Sequence, residues 1–240
     1  MDFGKLEPLF LPGRKRFLVL DSDIAFVGPV LDALERCSED FVFQYQGYPG
    51  EEEILRHYYD KSGLKEVDPG FEVPDRVFNF GQFVGTSGIF KKSDFTDYVV
   101  WENPPRLKHP QVFKLGLQGF MNYFIEKKTK AGLASVATLP FMLSPDNPEF
   151  MDVQLEDIEK RKGREKLMHW CGFHSPNLGS LPNAEILLWF EKLYYSKVGC
   201  GKLKRFVHSA RAYVVYKVRS VLGNHPEVWR FISRLRGLKE

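Results

Sequence analysis

Apolar and polar positions along this chain follow two rhythms. Short apolar runs bounded by turn residues read as strands, and longer runs with apolar residues three and four apart read as helices. The first clear run is FLVLDSDIAF, residues 17–26, after the basic turn Gly13-Arg14-Lys15-Arg16. It reads as one strand buried on both faces, with Asp21 and Asp23 on the same side, one pleat apart, and Ser22 between them. Residues 1–12 read as the last turns of a helix leading into it. After the Gly28-Pro29 turn come a short helix over 30–39 and a strand over 41–45. Residues 51–63 place three acids in the first turn and a Gly at the end, which predicts a helix. A strand is expected over 78–84, resuming at Ile89-Phe90 past a Gly85–Gly88 bend. A helix capped by Ser93 is expected over 93–102, and another over 111–132, closing on Gly132. Residues 133–145 predict a strand broken at Pro140, 152–166 a polar helix or loop, 166–177 a short strand and turn, and 183–199 an amphipathic helix. The alternation predicts an α/β fold.

Composition narrows the class. A chain of 240 residues is long enough for a substantial core, and 27% charged residues suits a globular protein. No apolar run approaches a membrane span, and the start does not read as a signal peptide. Cys37, Cys171 and Cys200 are too scattered for a disulfide framework or a zinc knuckle. A cytoplasmic protein is expected. The net charge of +3 hides an asymmetry, because residues 197–240 carry eleven Lys/Arg against Glu227 and Glu240, leaving the remainder acidic.

Four constellations could carry chemistry. Asp21 and Asp23 repel each other, and a divalent cation would relieve that repulsion at a strand end, where α/β sheets place their ligands. The same pair could instead cap a turn, or serve as nucleophile and acid in a phosphatase of the haloacid dehalogenase type. That last reading lacks its later acidic pair after a strand. His169 is the second, a neutral imidazole suited to Mn²⁺ beside two carboxylates, with Gly172, His174 and Ser175 nearby as anion donors. The third is Phe78-Asn79-Phe80-Gly81, where Asn79 could hold a sugar hydroxyl or a turn. The fourth is Leu117-Gln118-Gly119-Phe120-Met121-Asn122. There Gln118 and Asn122 share a helix face as a ligand wall or a buried network.

In this order the motifs resemble the retaining glycosyltransferases of family eight, the group of glycogenin and bacterial lipopolysaccharide galactosyl- and glucosyltransferases. The likeness spans about residues 5–178 and runs through VLDSDIAFVGP, FNFG, LQGFMN, Leu139-Pro140 and His169-Trp170-Cys171-Gly172-Phe173-His174-Ser175-Pro176-Asn177. It implies a GT-A fold and transfer of a hexose from a nucleotide sugar, usually UDP-linked in this family, to a saccharide or lipid-linked acceptor with retention. Asp21, Asp23 and His169 would hold Mn²⁺ or Mg²⁺ against the diphosphate. Gln118 would lie under the anomeric centre. Ser22, Asn79, Gly81, Asn122, Gly172, His174 and Ser175 would line the substrate. The catalytic domain would cover 1–199.

Three departures stand out. Leu117 and Gly119 replace both acids of the helix motif, and Ser175 and Asn177 replace the Lys and Trp of the last motif. Similar enzymes carry on the order of a hundred residues, close to one small domain, ahead of D-x-D. Only twenty precede Asp21 here. The resemblance therefore implies a chain without the base-binding part of the fold, and a sheet open on one side. An inactive binding module is the alternative reading. Residues 200–240 lie outside the likeness. Leu203, Phe206, Val207, Ala210, Val214 and Val218 recur at helical spacing with Lys/Arg opposite, and Pro226 starts a second short helix. Such a basic helix suits peripheral contact with the inner face of a membrane, or packing on the acidic body. No nucleic-acid recognition module is recognisable.

Overall fold

The computed structural model describes residues 3–45, 47, 49–160, 163–173, 175 and 177–223, with side chains to residue 218. The second helix expected after Pro226 lies outside the described residues. The chain forms two compact units, Met1–Leu143 with Arg161–His169, and Ser144–Lys160 with Trp170–Glu240. It is a mixed α/β protein, with mixed sheets and flanking helices.

The first unit opens with a 3-10 helix, Phe3–Phe10, which buries Phe3, Leu6 and Leu9. Its main sheet has four strands, β1 (Arg16–Val19), β3 (Phe41–Gln44), β4 (Phe83–Thr86) and β7 (Val136–Leu139), in the order β1-β4-β3-β7. The β3/β7 pair is parallel and the other two are antiparallel. A second sheet joins β2 (Ile24–Val27), β9 (Lys166–His169) and β8 (Met142–Leu143), with β9 central. Strand alternation divides the core. Phe41, Phe43 and Phe83 face an aromatic cluster shared with Phe78, Phe80 and Phe120, where Phe43 stacks on Phe78 at 4.5 Å. Val42 and Val84 point the other way, onto Val30 and Leu34 of α1 (Val30–Glu35) and onto Leu167. The β5/β6 hairpin (Val99–Val100 with Arg106–Leu107) completes the unit's strands.

Several expected elements take a different form. Residues 17–26 are not one strand. They split into β1 and β2, which belong to different sheets, because the carboxylates between them are engaged by side chains and cannot enter an apolar ladder. Strand β1 is half-buried rather than covered on both faces, since it lies at the sheet edge. The helix expected over 51–63 is two helices, α2 (Glu51–His57) and α3 (Lys61–Val67). Asp60 caps α3 by accepting from Gly63 N at 2.8 Å, which draws Gly63 inside the helix. Residues 78–82 turn before β4 begins, because Asn79 Oδ1 accepts from Gly81 N at 2.7 Å. Instead of a helix over 93–102, a short 3-10 turn (Lys92–Phe95) precedes β5, and Asp94, not Ser93, holds its first N–H group. The next helix, α4 (Leu117–Lys130), starts later than its apolar spacing suggests. Leu115 and Gly116 both have positive φ and block an earlier start.

The second unit holds α5 (Pro148–Met151), α6 (Leu155–Glu159), α7 (Ala184–Lys197) and α8 (Gly201–Gly223). Asn183 ties the head of α7 to this unit by donating to Phe150 O and Val153 O. Among the described residues, no helix is long and apolar enough to cross a membrane.

Candidate metal centre

The turn Leu20–Asp23 carries the chain from the four-stranded sheet into the three-stranded one. Register then sets the third group. Ile24 pairs with His169 across the antiparallel β2/β9 ladder, so the imidazole at the end of β9 arrives beside the two carboxylates. His169 Nε2 lies 3.3 Å from Asp23 Oδ1 and 3.8 Å from Asp21 Oδ2. One ligand atom from each of the three residues falls within 4.8 Å of the others. His169 is buried, Asp21 half-buried and Asp23 exposed, so the cluster opens to one side. Two carboxylate oxygens and one imidazole nitrogen form a donor set that can hold a metal ion.

Two residues at this centre go beyond the sequence reading. Lys5, from the opening 3-10 helix, donates to Asp21 Oδ1 at 2.5 Å and reaches toward Gly81 O at 3.4 Å. The only hint in the sequence is one cation in the apolar run FGKLEPLF. Gln82 is fully buried, and its Nε2 donates to Asp21 Oδ2 at 2.6 Å and lies 3.3 Å from His169 Nδ1. A carboxylate only accepts, which fixes the amide nitrogen on that side. Gln82 engages the Nδ1 side of the ring, so Nε2 is the nitrogen turned toward Asp23 and Asp21. Gln82 Oε1 is buried without a hydrogen-bond partner. The polar letter inside FGQFV was the available signal.

Beside the cluster lies an open cleft of about 380 Å³, walled by Lys5, Asp21, Asn79, Gly81, Leu117 and Gln118 among others. A Cβ at Gly81 would stand 2.8 Å from Asp21 Oδ2 and 2.9 Å from Asn79 Oδ1, so a side chain there would shift both. Gln118 faces the cleft and donates to Tyr58 Oη at 3.2 Å, while burial pushes the Tyr58 phenol above its usual range. Asn122 serves the buried network instead. It accepts from Phe78 N at 2.6 Å and donates to Phe78 O at 2.9 Å, clamping the approach to Asn79. Ser22 is exposed on the metal-centre turn.

The resemblance would place acids at positions 117 and 119, where this chain has Leu117 and Gly119. A Cβ at Gly119 would come within 2.6 Å of Tyr58 O and closer still to Lys114 O, so no side chain fits there. Leu117 could accept a polar replacement on steric grounds, because it already lines the cleft.

The remaining expected site residues belong to the second unit. Gly172 has φ +81 and open space where a Cβ would be. Ser175 Oγ accepts from Asn177 N at 3.1 Å and pairs with Ser180 Oγ at 3.0 Å within a local turn. His174 lies outside the described residues. No protein-family model, curated protein or solved structure matches this chain.

Proposed function

We propose that this chain is a metal-dependent glycosyltransferase that moves a hexose from a nucleotide diphosphate sugar to a saccharide or lipid-linked acceptor. The observation that supports this reading best is the convergence of Asp21, Asp23 and His169, drawn from distant parts of the chain, beside a cleft that Asp21 lines. The cleft carries the neutral hydrogen-bonding side chains that sugar hydroxyls require.

Mn²⁺ or Mg²⁺ held by Asp21, Asp23 and His169 would neutralise charge on a departing diphosphate. The chain's own residues would do the rest. Lys5 would supply a second positive charge, compensating for the Lys that Ser175 replaces. Asn79 and Gln118 would hold the sugar. Tyr58 engages the Gln118 amide nitrogen, leaving the carbonyl oxygen to meet the electron-poor anomeric carbon. Retention and the GT-A assignment belong to the same proposal and rest on the motif likeness.

A second reading follows from Leu117, which occupies the cleft wall where the motif has a carboxylate. A binding module with this pocket would hold a nucleotide sugar without turnover. Calorimetry with UDP, with and without Mn²⁺, tests what the two readings share, and UDP-sugar hydrolysis separates them. Metal-dependent UDP binding with hydrolysis supports the enzyme, and binding alone supports the module. Failure of UDP to bind in the presence of Mn²⁺ would overturn both.

A further inference from the structure

Helix α8 lies in the second unit, and its hydrogen bonds to α7 come from its polar side. Arg205 Nη2 donates to Glu191 Oε2 of α7 at 2.7 Å, and His208 Nδ1 meets Tyr195 Oη at 2.8 Å. At 100° per residue these two lie on the side of α8 opposite Leu203, Phe206, Val207, Val214 and Val218. The apolar stripe is therefore turned away from α7. Its side chains are bare, with Leu203 64%, Phe206 73% and Val214 58% exposed. This is the reverse of how an amphipathic helix packs on its own protein.

The charges beside the stripe identify what it meets. Lys202 borders one edge, Lys204 and Arg211 border the other, and Lys217 emerges within it, over the Tyr213 ring at 5.7 Å. No carboxylate occurs between Glu191 and Glu227. A symmetric pairing of two such faces would bring like charges together along both edges. A nucleic acid would engage only the cations and leave the apolar stripe of Leu203, Phe206 and Val214 bare. A bilayer with anionic headgroups takes both parts, with apolar side chains entering the acyl boundary and long cationic side chains staying at headgroup level. We infer that α8 is a docking surface for an anionic membrane and lies flat in its interface. This inference stands apart from the chemistry of the metal centre.

The test uses the full chain and sedimentation with vesicles of neutral phosphatidylcholine, alone or with about 30% phosphatidylglycerol. Association with the anionic vesicles should exceed that with neutral ones by about tenfold or more, and should weaken by a similar factor in ~1 M salt. Phe206→Glu combined with Val214→Glu should abolish it with helix content unchanged. Hydrogen exchange on the unaltered chain removes dependence on the variant, because amides of residues 203–218 should become protected on anionic vesicles. Equal binding to both vesicle types, undiminished binding by the double variant, or no protection would overturn the inference. So would a dimer that this variant dissociates in a chain that ignores vesicles, which would assign the stripe to a second copy.

Discussion

Replacing Gln82 by Leu removes both amide contacts to the metal-centre residues while keeping nearly the same volume. The effect on stability is a difference of comparable quantities. The hydrogen bond to the Asp21 carboxylate is charge-assisted and contributes about 1.5–3 kcal/mol, and the longer contact to His169 contributes less. Against that, the substitution removes a buried carbonyl oxygen with no partner, whose desolvation costs about 1–3 kcal/mol. The net loss should be at most about 2 kcal/mol. Metal affinity should fall by more, about 10- to 100-fold, because Gln82 orients two of the three ligands. Gln82→Glu sharpens the contrast. A carboxylate facing Asp21 would be repelled by about 4 kcal/mol at an effective dielectric of 20, so the metal-free protein should lose stability and gain unusually much from Mn²⁺. Urea unfolding paired with Mn²⁺ titration followed by electron paramagnetic resonance reads both quantities. A Gln82→Leu chain that binds Mn²⁺ within twofold of the original would refute the reasoning, whatever its stability.

Two further outcomes follow from local geometry. Gly119→Ala should destabilise the chain by about 3 kcal/mol or more in urea unfolding, since its Cβ meets backbone oxygens of Tyr58 and Lys114 that cannot yield as side chains do. Wild-type stability there would show that α4 can shift at little cost. Asp68 gives a pH signature. Burial pulls its carboxyl up, but hydrogen bonds from Lys127 and Tyr123 outweigh that and hold it below the usual range. A depressed folded value means a contribution present above the ordinary carboxylate pKa and lost as pH falls through the lowered one. Asp68→Asn should therefore lower stability at neutral pH and converge with the original chain in acid. Parallel curves from pH 7 down to about 2 would contradict this sign.

How far the sequence was readable depended on the range of the forces involved. Elements set by local periodicity, such as β3, α7 and α8, were readable to within a few residues, because burial on one face repeats in the letters. Local side-chain bonds defeated periodicity elsewhere. Asp60 split one expected helix into two, and Asn79 replaced the start of an expected strand with a turn, each through an oxygen accepting a nearby N–H. The division of residues 17–26 between two sheets depends on strand partners far along the chain, such as β4 and β9, which apolar spacing does not name. At the metal centre, Asp21, Asp23 and His169 stood out by chemistry and motif order. Lys5 and Gln82 did not, because a lone cation in a short helix and an amide in an apolar run look like surface and core. Only three-dimensional proximity distinguishes them.

Titration of the full chain with Mn²⁺, followed by electron paramagnetic resonance, tests the central claim most directly when Asp23→Ala is measured beside the original. Asp23 suits the purpose because Lys5 and Gln82 bond to Asp21 rather than to it, so removing its carboxylate leaves those contacts in place. The metal-centre assignment predicts saturable binding of one Mn²⁺ per chain, weakened about 100-fold or more in the variant, or ~3 kcal/mol for a lost charged ligand. Absence of bound Mn²⁺ in the original chain, or equal binding by the variant, would contradict it.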